Sequence, residues 1–261
     1  MNNIHPFSRG FLSDIVRDVR AEVLAQYPEL VALLHEVNTE AVALQHTLEF
    51  RKQEPADLYG AALYARTLAS TQACVILLEH GLVSQARTVL RSALECLFPL
   101  CAIAKDRSLA EGLIDSYNAN RKTLVERMHR WQEPALKASV AAELASPSLV
   151  AALQSKARPI NQYELAKLAD MEDWYLSMYT LLSLSSHGAV ADLAVHLVEG
   201  SDGELEALQN EPQVHGQAET WLYTVEVQLR AIRAVSTLLG ATPPPLPNFE
   251  DRLRCLATNA A

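Results

Sequence analysis

The chain has 261 residues, of which 49% are hydrophobic and 20% charged, so it can bury a large core and is not of disordered composition. Its formal net charge of −9 argues against a general binder of nucleic acid or anionic membranes, because those proteins carry a cationic footprint. That charge still allows a local basic site.

The cysteines and the apolar runs bear on compartment. The four cysteines form no C-x-x-C pair, and Cys96 and Cys101, five residues apart on a predicted helix, point too far apart to bond. No apolar run of signal-peptide length opens the sequence. The longest apolar run, 93–104, has about 12 residues, whereas a membrane span needs about 20. We therefore expect a reduced, cytoplasmic protein with no membrane partner.

Helical residue types and spacing run through nearly the whole chain. Glycines are few, alternating β-branched runs are rare, and Ala, Leu, Glu and Arg are abundant. The Asp202-Gly203 pair lies in a polar stretch that we predict to be a loop, since no alternating segments flank it. The predicted helices cover about 9–25, 28–51, 55–80, 82–104, 107–132, 161–187 (or to 197) and 216–239.

Prolines and glycines predict how these helices begin and end. Pro55 suits the first turn of a helix, and Gly81 suits the left-handed position after one. The short link at Gly81 predicts that helices 55–80 and 82–104 form an antiparallel hairpin. Pro99 predicts a kink, because a proline has no amide hydrogen to donate to the carbonyl of Glu95.

The predicted fold is an all-α, single-domain, multi-helix bundle over residues 1–261. Its core is expected at about 55–240, preceded by an N-terminal helical hairpin at 9–51. The prolines between 133 and 160 predict shorter helices and loops there. The proline-rich tail, 241–261, is expected to be extended and to end in a short amphipathic piece.

A charged row accompanies the apolar stripe of the predicted helix 82–104. Arg87, Arg91 and Glu95 are each four residues from the next, roughly 90 to 170° from the centre of the stripe. One interpretation is a surface ion pair of Arg91 and Glu95, worth about 0.2–0.5 kcal/mol. The other is a partly covered site, in which an arginine needs partners and forms a natural fork for carboxylate or phosphate.

A second polar row follows in YTLLSLSSHG. Tyr179, Ser183 and His187 are spaced four residues apart, so a phenol, a hydroxyl and an imidazole lie along one stripe of a leucine-rich helix. They could form a structural network, because polar groups on an apolar helix usually bond one another or the backbone. Alternatively, His187 is an acid/base group that its neighbours orient.

Other candidate motifs are weaker. Glu36 and Glu40 share a helix face, but no E-x-x-H motif accompanies them. No phosphate loop, nucleophile elbow or paired Cys/His spacing is present, so we expect no metal and no cofactor. One basic cluster spreads around its helix and is expected to be a solvated surface: Arg121, Lys122, Arg127, His129 and Arg130.

Two segments carry a family resemblance. HGLVSQARTVLRSALECL followed by YTLLSLSSHG resembles an uncharacterised bacterial family of unknown function, in which an Arg-x3-Glu helix precedes a Tyr-x3-Ser-x3-His helix. The resemblance covers residues 60–195 and implies an all-helical protein with no agreed activity. The arrangement is also loosely similar to HEPN bundles, several of which cleave RNA. Those carry an Arg and a His closer together on one helix than Arg121 and His129 are here.

Three functional hypotheses follow. The first is a site for a small anionic or nucleotide ligand, in which Arg91 holds the anion, Glu95 orients Arg91 or acts as base, and His187 supplies a proton. The second is a binding or assembly module of a stress or defence system with no chemistry of its own; a homo-oligomer is compatible with it. The third is a HEPN-like ribonuclease, which the acidic charge and the missing motif disfavour. In the first hypothesis Arg91, Glu95 and His187 are the candidate catalytic residues. The further residues assigned to ligand binding are Arg87, Tyr179 and Ser183.

Overall fold

The computed structural model describes residues 10–14, 16–128, 138, 141, 158–186 and 190–260. In these ranges the regular secondary structure is helical apart from one two-stranded sheet, which confirms the all-α prediction. Short 3-10 turns lie at Gly10–Leu12 and Ala194–His196. The helices are α1 Val16–Gln26, α2 Pro28–Thr47, α3 Pro55–Glu79, α4 Val83–Lys105, α5 Leu109–Met128, α6 Gln162–Leu168, α7 Glu172–Trp174, α8 Thr180–Ser186, α9 Val190–Leu193, α10 Ala218–Leu239 and α11 Leu246–Ala260.

Helices α3, α4 and α10 pack against one another at the centre of the molecule. Most of the apolar stripe of α4 is buried there, and Trp221 of α10 is the largest side chain with no exposure among the described residues. The same apolar cluster extends from Val19 in α1 to Leu253 in α11, so the N-terminal helices and the last helix cover one continuous core. Polar residues of α4 beside the stripe are consequently held at the edge of that core.

The turn between α3 and α4 is closed by hydrogen bonds of the Schellman type. The amide of Leu82 donates to the carbonyl of Leu77 at 2.9 Å, and Gly81 has a φ of +74°, in the left-handed region that was predicted for it. The carbonyl of Gly81 also accepts from the amide of Gln213 at 2.9 Å, and a side chain at Gly81 would collide with Pro212. The loop before α10 is thereby fixed against the start of α4.

Helix α3 is long and apolar enough to cross a membrane by length and composition, with a mean hydropathy of 1.3 over its most apolar window. Half of that window is buried against other helices, as in the core helix of a bundle.

Helix α3 also begins with a buried charge. Asp57 accepts hydrogen bonds from the Arg51 amide and guanidinium, both at 2.9 Å, and from Arg107. The two guanidinium groups hold the pKa of the Asp57 carboxyl well below its usual range, against the effect of burial.

The sequence prediction was wrong at the N-terminal end and in the middle of the chain. The first helix begins at Val16 after a separate 3-10 turn, and α2 ends at Thr47 and not at 51. The predicted helix 161–187 starts as expected at Asn161, which forms a capping box with Glu164. It is then interrupted at Asp170, which adopts a φ of +55° and closes α6 with a Schellman-type turn. The sequence did not predict this turn, because the position holds no glycine.

The stretch predicted as a polar loop contains a hairpin. Strands β1, Leu197–Glu199, and β2, Leu205–Leu208, pair antiparallel, with Leu197 opposite Leu208, and Gly203 in the turn has a φ of +81°. These strands are too short and too exposed to show an alternating pattern. The amphipathic piece expected at the end of the tail is the helix α11, which begins at Leu246 and, with 15 residues, is longer than expected. Helix α4 continues through Pro99 as expected, while the kink itself stays a prediction.

Candidate functional site

A π-helical turn positions Tyr179 and Ser183, the polar row that faces α4. Residues Tyr175–Tyr179 form a wide turn between α7 and α8, in which the Thr180 amide donates to the carbonyl of Tyr175, five residues back. The Thr180 hydroxyl donates to that carbonyl as well, at 2.8 Å. The widened turn holds the buried Tyr179 against α4, and Ser183 follows one helical turn later. Such turns occur frequently at functional sites.

Arg91 is held by three side chains at the boundary between α4 and the helix that carries Tyr179. Its Nε donates to Ser183 Oγ at 3.0 Å, and its Nη2 donates to Tyr179 Oη at 2.7 Å and lies 3.0 Å from Glu95 Oε1. The exposed fractions of the Arg91 and Glu95 side chains are 20% and 31%, so the pair is partly covered. Among the described residues, Nη1 of Arg91 has no hydrogen-bond partner. The sequence therefore identified four side chains that the fold brings together: Arg91, Glu95, Tyr179 and Ser183.

Tyr179 closes this cluster as both donor and acceptor. Its hydroxyl accepts from Arg91 and donates to Glu95 Oε1 at 2.9 Å. Burial and the neighbouring Glu95 carboxylate raise the pKa of Tyr179 to about 12, although the Arg91 charge acts in the opposite direction. Tyr179 consequently keeps its proton at neutral pH and acts as a fixed donor.

Aromatic rings extend the site away from Arg91. The Arg91 Cζ lies 4.9 Å from the centroid of the Tyr179 ring, which stacks on Tyr175 with centroids 4.9 Å apart. Tyr175 in turn contacts Tyr163, whose hydroxyl donates to Glu172. Sequence reasoning missed this row, although Tyr175 and Tyr179 are four residues apart on one helix face, a spacing that could have indicated the stack.

Arg87, one turn before Arg91, does not join the cluster. Its Nε donates to Thr220 Oγ1 at 3.2 Å and its Nη2 to the Gly216 carbonyl at 3.5 Å, both at the start of α10. A cavity of about 150 Å³ opens beside it between α4, α8 and α10. Sequence reasoning missed Asp192, which lines this cavity and accepts from Ser84 at 2.7 Å, because nothing in the local pattern marks it.

The remaining candidates do not add to the site in the described part of the chain. His187 lies outside the described residues, as do His129 and Arg130 of the basic cluster. No group of three His, Cys, Asp or Glu side chains in the described ranges is placed to hold a metal ion. The seam between α4 and α8 is thus a row of hydrogen-bonding groups beside one small cavity.

The family now follows from comparison with known proteins. Residues 57–205, more than half of the chain, match the family of unknown function DUF5677. The chain belongs to this family. The matched range includes both helices of the seam, so in this DUF5677 protein the Arg91 cluster and Arg87 lie in the family domain. Part of the cavity wall lies beyond the matched range, on α10: Glu219, Thr220 and Tyr223. No curated protein and no solved structure matches the chain.

Proposed function

We propose that this DUF5677 protein binds a small anionic ligand in the cavity beside Arg87, one helical turn along α4 from the Arg91 cluster. The observation that carries the proposal is the cavity of about 150 Å³ with an arginine at its edge whose hydrogen bonds, at 3.2 and 3.5 Å, are long. A guanidinium held this loosely keeps donors for a carboxylate or phosphate.

The cavity favours a ligand with a single negative charge. Its lining includes Asp192 and Glu219 as well as Arg87, and these carboxylates are engaged by Ser84 and Tyr223. Two carboxylates in the wall repel a multiply charged phosphate chain more strongly than a monocarboxylate. The leucines that share the wall suit a short apolar body on the ligand: Leu181, Leu182 and Leu184.

The proposal is one of binding and not of catalysis. Of the acid/base candidates in the described residues, Glu95 is paired with Arg91, and Tyr179 retains its proton at neutral pH. Arg91 is fixed by Ser183 and Tyr179, and these contacts hold α8, which supplies leucines to the cavity wall, against α4. The role of the cluster is therefore to position α8 beside the cavity.

Isothermal titration with acetate, butyrate and inorganic phosphate tests the proposal. We expect saturable binding that is strongest for butyrate and is lost in Arg87→Gln. Arg252→Gln, which removes a distant pair with Glu36, is the matched control and should bind as the unchanged protein does. Absence of binding by all three probes, or equal binding by Arg87→Gln, would overturn it. A salt-dependent affinity for single-stranded RNA would favour the HEPN-like ribonuclease instead.

A second candidate, an assembly module, is favoured by exposed leucines on one stretch of the chain. We take the partner to be a second copy, because the β1–β2 hairpin leaves strand edges free to pair with an identical hairpin. Sedimentation equilibrium should then show a dimer that Leu208→Glu dissociates, whereas a monomer at all concentrations would exclude it. The exposed leucines are Leu176, Leu181, Leu184, Leu193, Leu197, Leu205 and Leu208.

A further inference from the structure

A second pair of cavities lies away from the α4–α8 seam, on the outer face of α10. Arg230 and Arg233 line both of them and form the ridge between them. One cavity, of about 280 Å³, lies between α10, α11 and Trp174. The other, of about 200 Å³, lies between α10, the end of α4 and the turn at Ala169 to Met171. The two arginines therefore face a divided groove.

Positive charge is concentrated in this groove although the chain is acidic overall. Lys105 and Arg254 line it as well, but they are paired with Asp170 at 2.5 Å and with Asp251 at 2.7 Å. Arg233 is paired with Glu250 in the wall.

Arg230 differs from these three basic residues, because no carboxylate of the described residues lies within ion-pair distance of it. Its Cζ lies 5.5 Å from the centroid of the Trp174 ring. The half-buried carboxyl of Glu226 also lines this wall and interacts with the Arg230 charge without forming an ion pair. Burial raises the pKa of Glu226, and the Arg230 charge opposes that effect.

The walls of the groove are apolar on both sides of the ridge. Leu229 and Leu253 are buried beside Trp174, and Met171 is buried under the second cavity. An aromatic ring, leucines and an arginine without a carboxylate partner together suit a ligand with a flat apolar body and one anionic group.

We propose that the groove binds a small aromatic anion, whose carboxylate or phosphate pairs with Arg230 and whose ring packs against Trp174. This site is separate from the Arg87 cavity and shares no lining residue with it. Binding places the ligand ring against the indole, so the emission of Trp174 changes with occupancy.

Fluorescence titration of the full chain with benzoate, phenyl phosphate and the neutral isostere benzamide tests the site. We expect a saturable change with at least one anion, and a change about tenfold weaker or absent with benzamide. The change should disappear in Trp174→Phe, which assigns it to that indole. Arg230→Gln should weaken anion binding about tenfold or more, because it removes a charge-assisted contact.

Matched variants separate this groove from the rest of the molecule. Arg252→Gln lies on the opposite face of α11, where Arg252 pairs with Glu36, and should leave the titration unchanged. Arg87→Gln should also leave it unchanged, so failure of this site and failure of the Arg87 cavity are distinguishable. The proposal is overturned if neither anion binds at up to about 10 mM, above the millimolar Kd expected of so small a ligand. It is equally overturned if benzamide binds as well as the anions, or if Arg230→Gln binds unchanged.

Discussion

Arg91 and Tyr179 contact each other in two ways, through a 2.7 Å hydrogen bond to the hydroxyl and through a guanidinium carbon 4.9 Å from the ring centroid. One arginine thus contacts both the polar edge and the face of a single tyrosine 88 positions later. Because Tyr179 is buried and belongs to a π-helical turn, this double contact fixes the helix of residues 172–186 onto α4.

Replacing Arg91 should destabilise the fold more than replacing Arg87. Arg91→Ala removes the cationic partner of Glu95 and one hydrogen-bond donor each from Ser183 and Tyr179, and the Arg91 and Glu95 side chains are only 20% and 31% exposed. We expect a loss of about 2–3 kcal/mol in the free energy of unfolding, between the values for exposed and fully buried pairs. Arg87→Ala, with two long hydrogen bonds, should lose about 1 kcal/mol or less. Urea denaturation measures both, and equal losses would place Arg91 on an ordinary surface.

The Asp57 cluster should make stability depend on acid pH. The folded-state pKa of Asp57 is below its unfolded value of about 3.8, so its contribution is fully present above that value and is lost as the pH falls through the folded pKa. Asp57→Asn should therefore cost about 2–3 kcal/mol at pH 7 and progressively less below about pH 4. Urea denaturation at several pH values measures this difference, with exposed Glu49→Gln as control. A loss that is the same at pH 3 and pH 7 would refute the electrostatic explanation.

Two glycine-to-alanine changes should act in opposite directions. Gly240 ends α10 with a φ of +68°, where a side chain is strained even though no atom lies close, so Gly240→Ala should cost about 1 kcal/mol. Gly112 lies within α5 with open space around it, and Gly112→Ala should stabilise by about 0.5–1 kcal/mol. Thermal unfolding followed by circular dichroism compares them. A stabilised Gly240→Ala would contradict the left-handed cap.

The thiols should separate into accessible and inaccessible classes. Cys255 is exposed, whereas burial raises the pKa values of Cys74 and Cys101 to about 12. With Ellman's reagent at pH 8 we expect fast labelling of Cys255, slower labelling of the partly exposed Cys96 and Cys101, and labelling of Cys74 only after unfolding. Cys255→Ser should abolish the fast phase. Fast labelling of Cys74 in the native protein would show that the core opens at α3.

Regular spacing made the centre of this molecule predictable. The four-residue intervals of Arg91 to Glu95 and of Tyr179 to Ser183 depend only on helix geometry, and the fold brings those pairs together. The Gly81 turn was predictable because a helix end followed by glycine has a specific backbone requirement.

The elements that the sequence prediction placed wrongly are those whose conformation depends on tertiary contacts or that are too short to carry a pattern. Asp170 closes α6 in a conformation that glycine usually adopts, and it pairs there with Lys105 from a distant helix. The β1–β2 strands are too short to carry a period. Arg87 lies on the same face as Arg91 but reaches the start of α10, a destination that spacing along α4 cannot indicate.

The π-helical turn at Tyr175–Tyr179 also sets a rotational phase. A turn of this kind contains one residue more than an α-helical turn, so the residues on its two sides are offset by roughly 100° from a continuous α-helix. Deleting one residue within the turn would restore a regular helix and rotate Trp174 and its neighbours about the axis relative to Ser183. The turn therefore sets the orientation of the groove at Trp174 relative to the seam with α4, and a one-residue change in its length would move one site relative to the other.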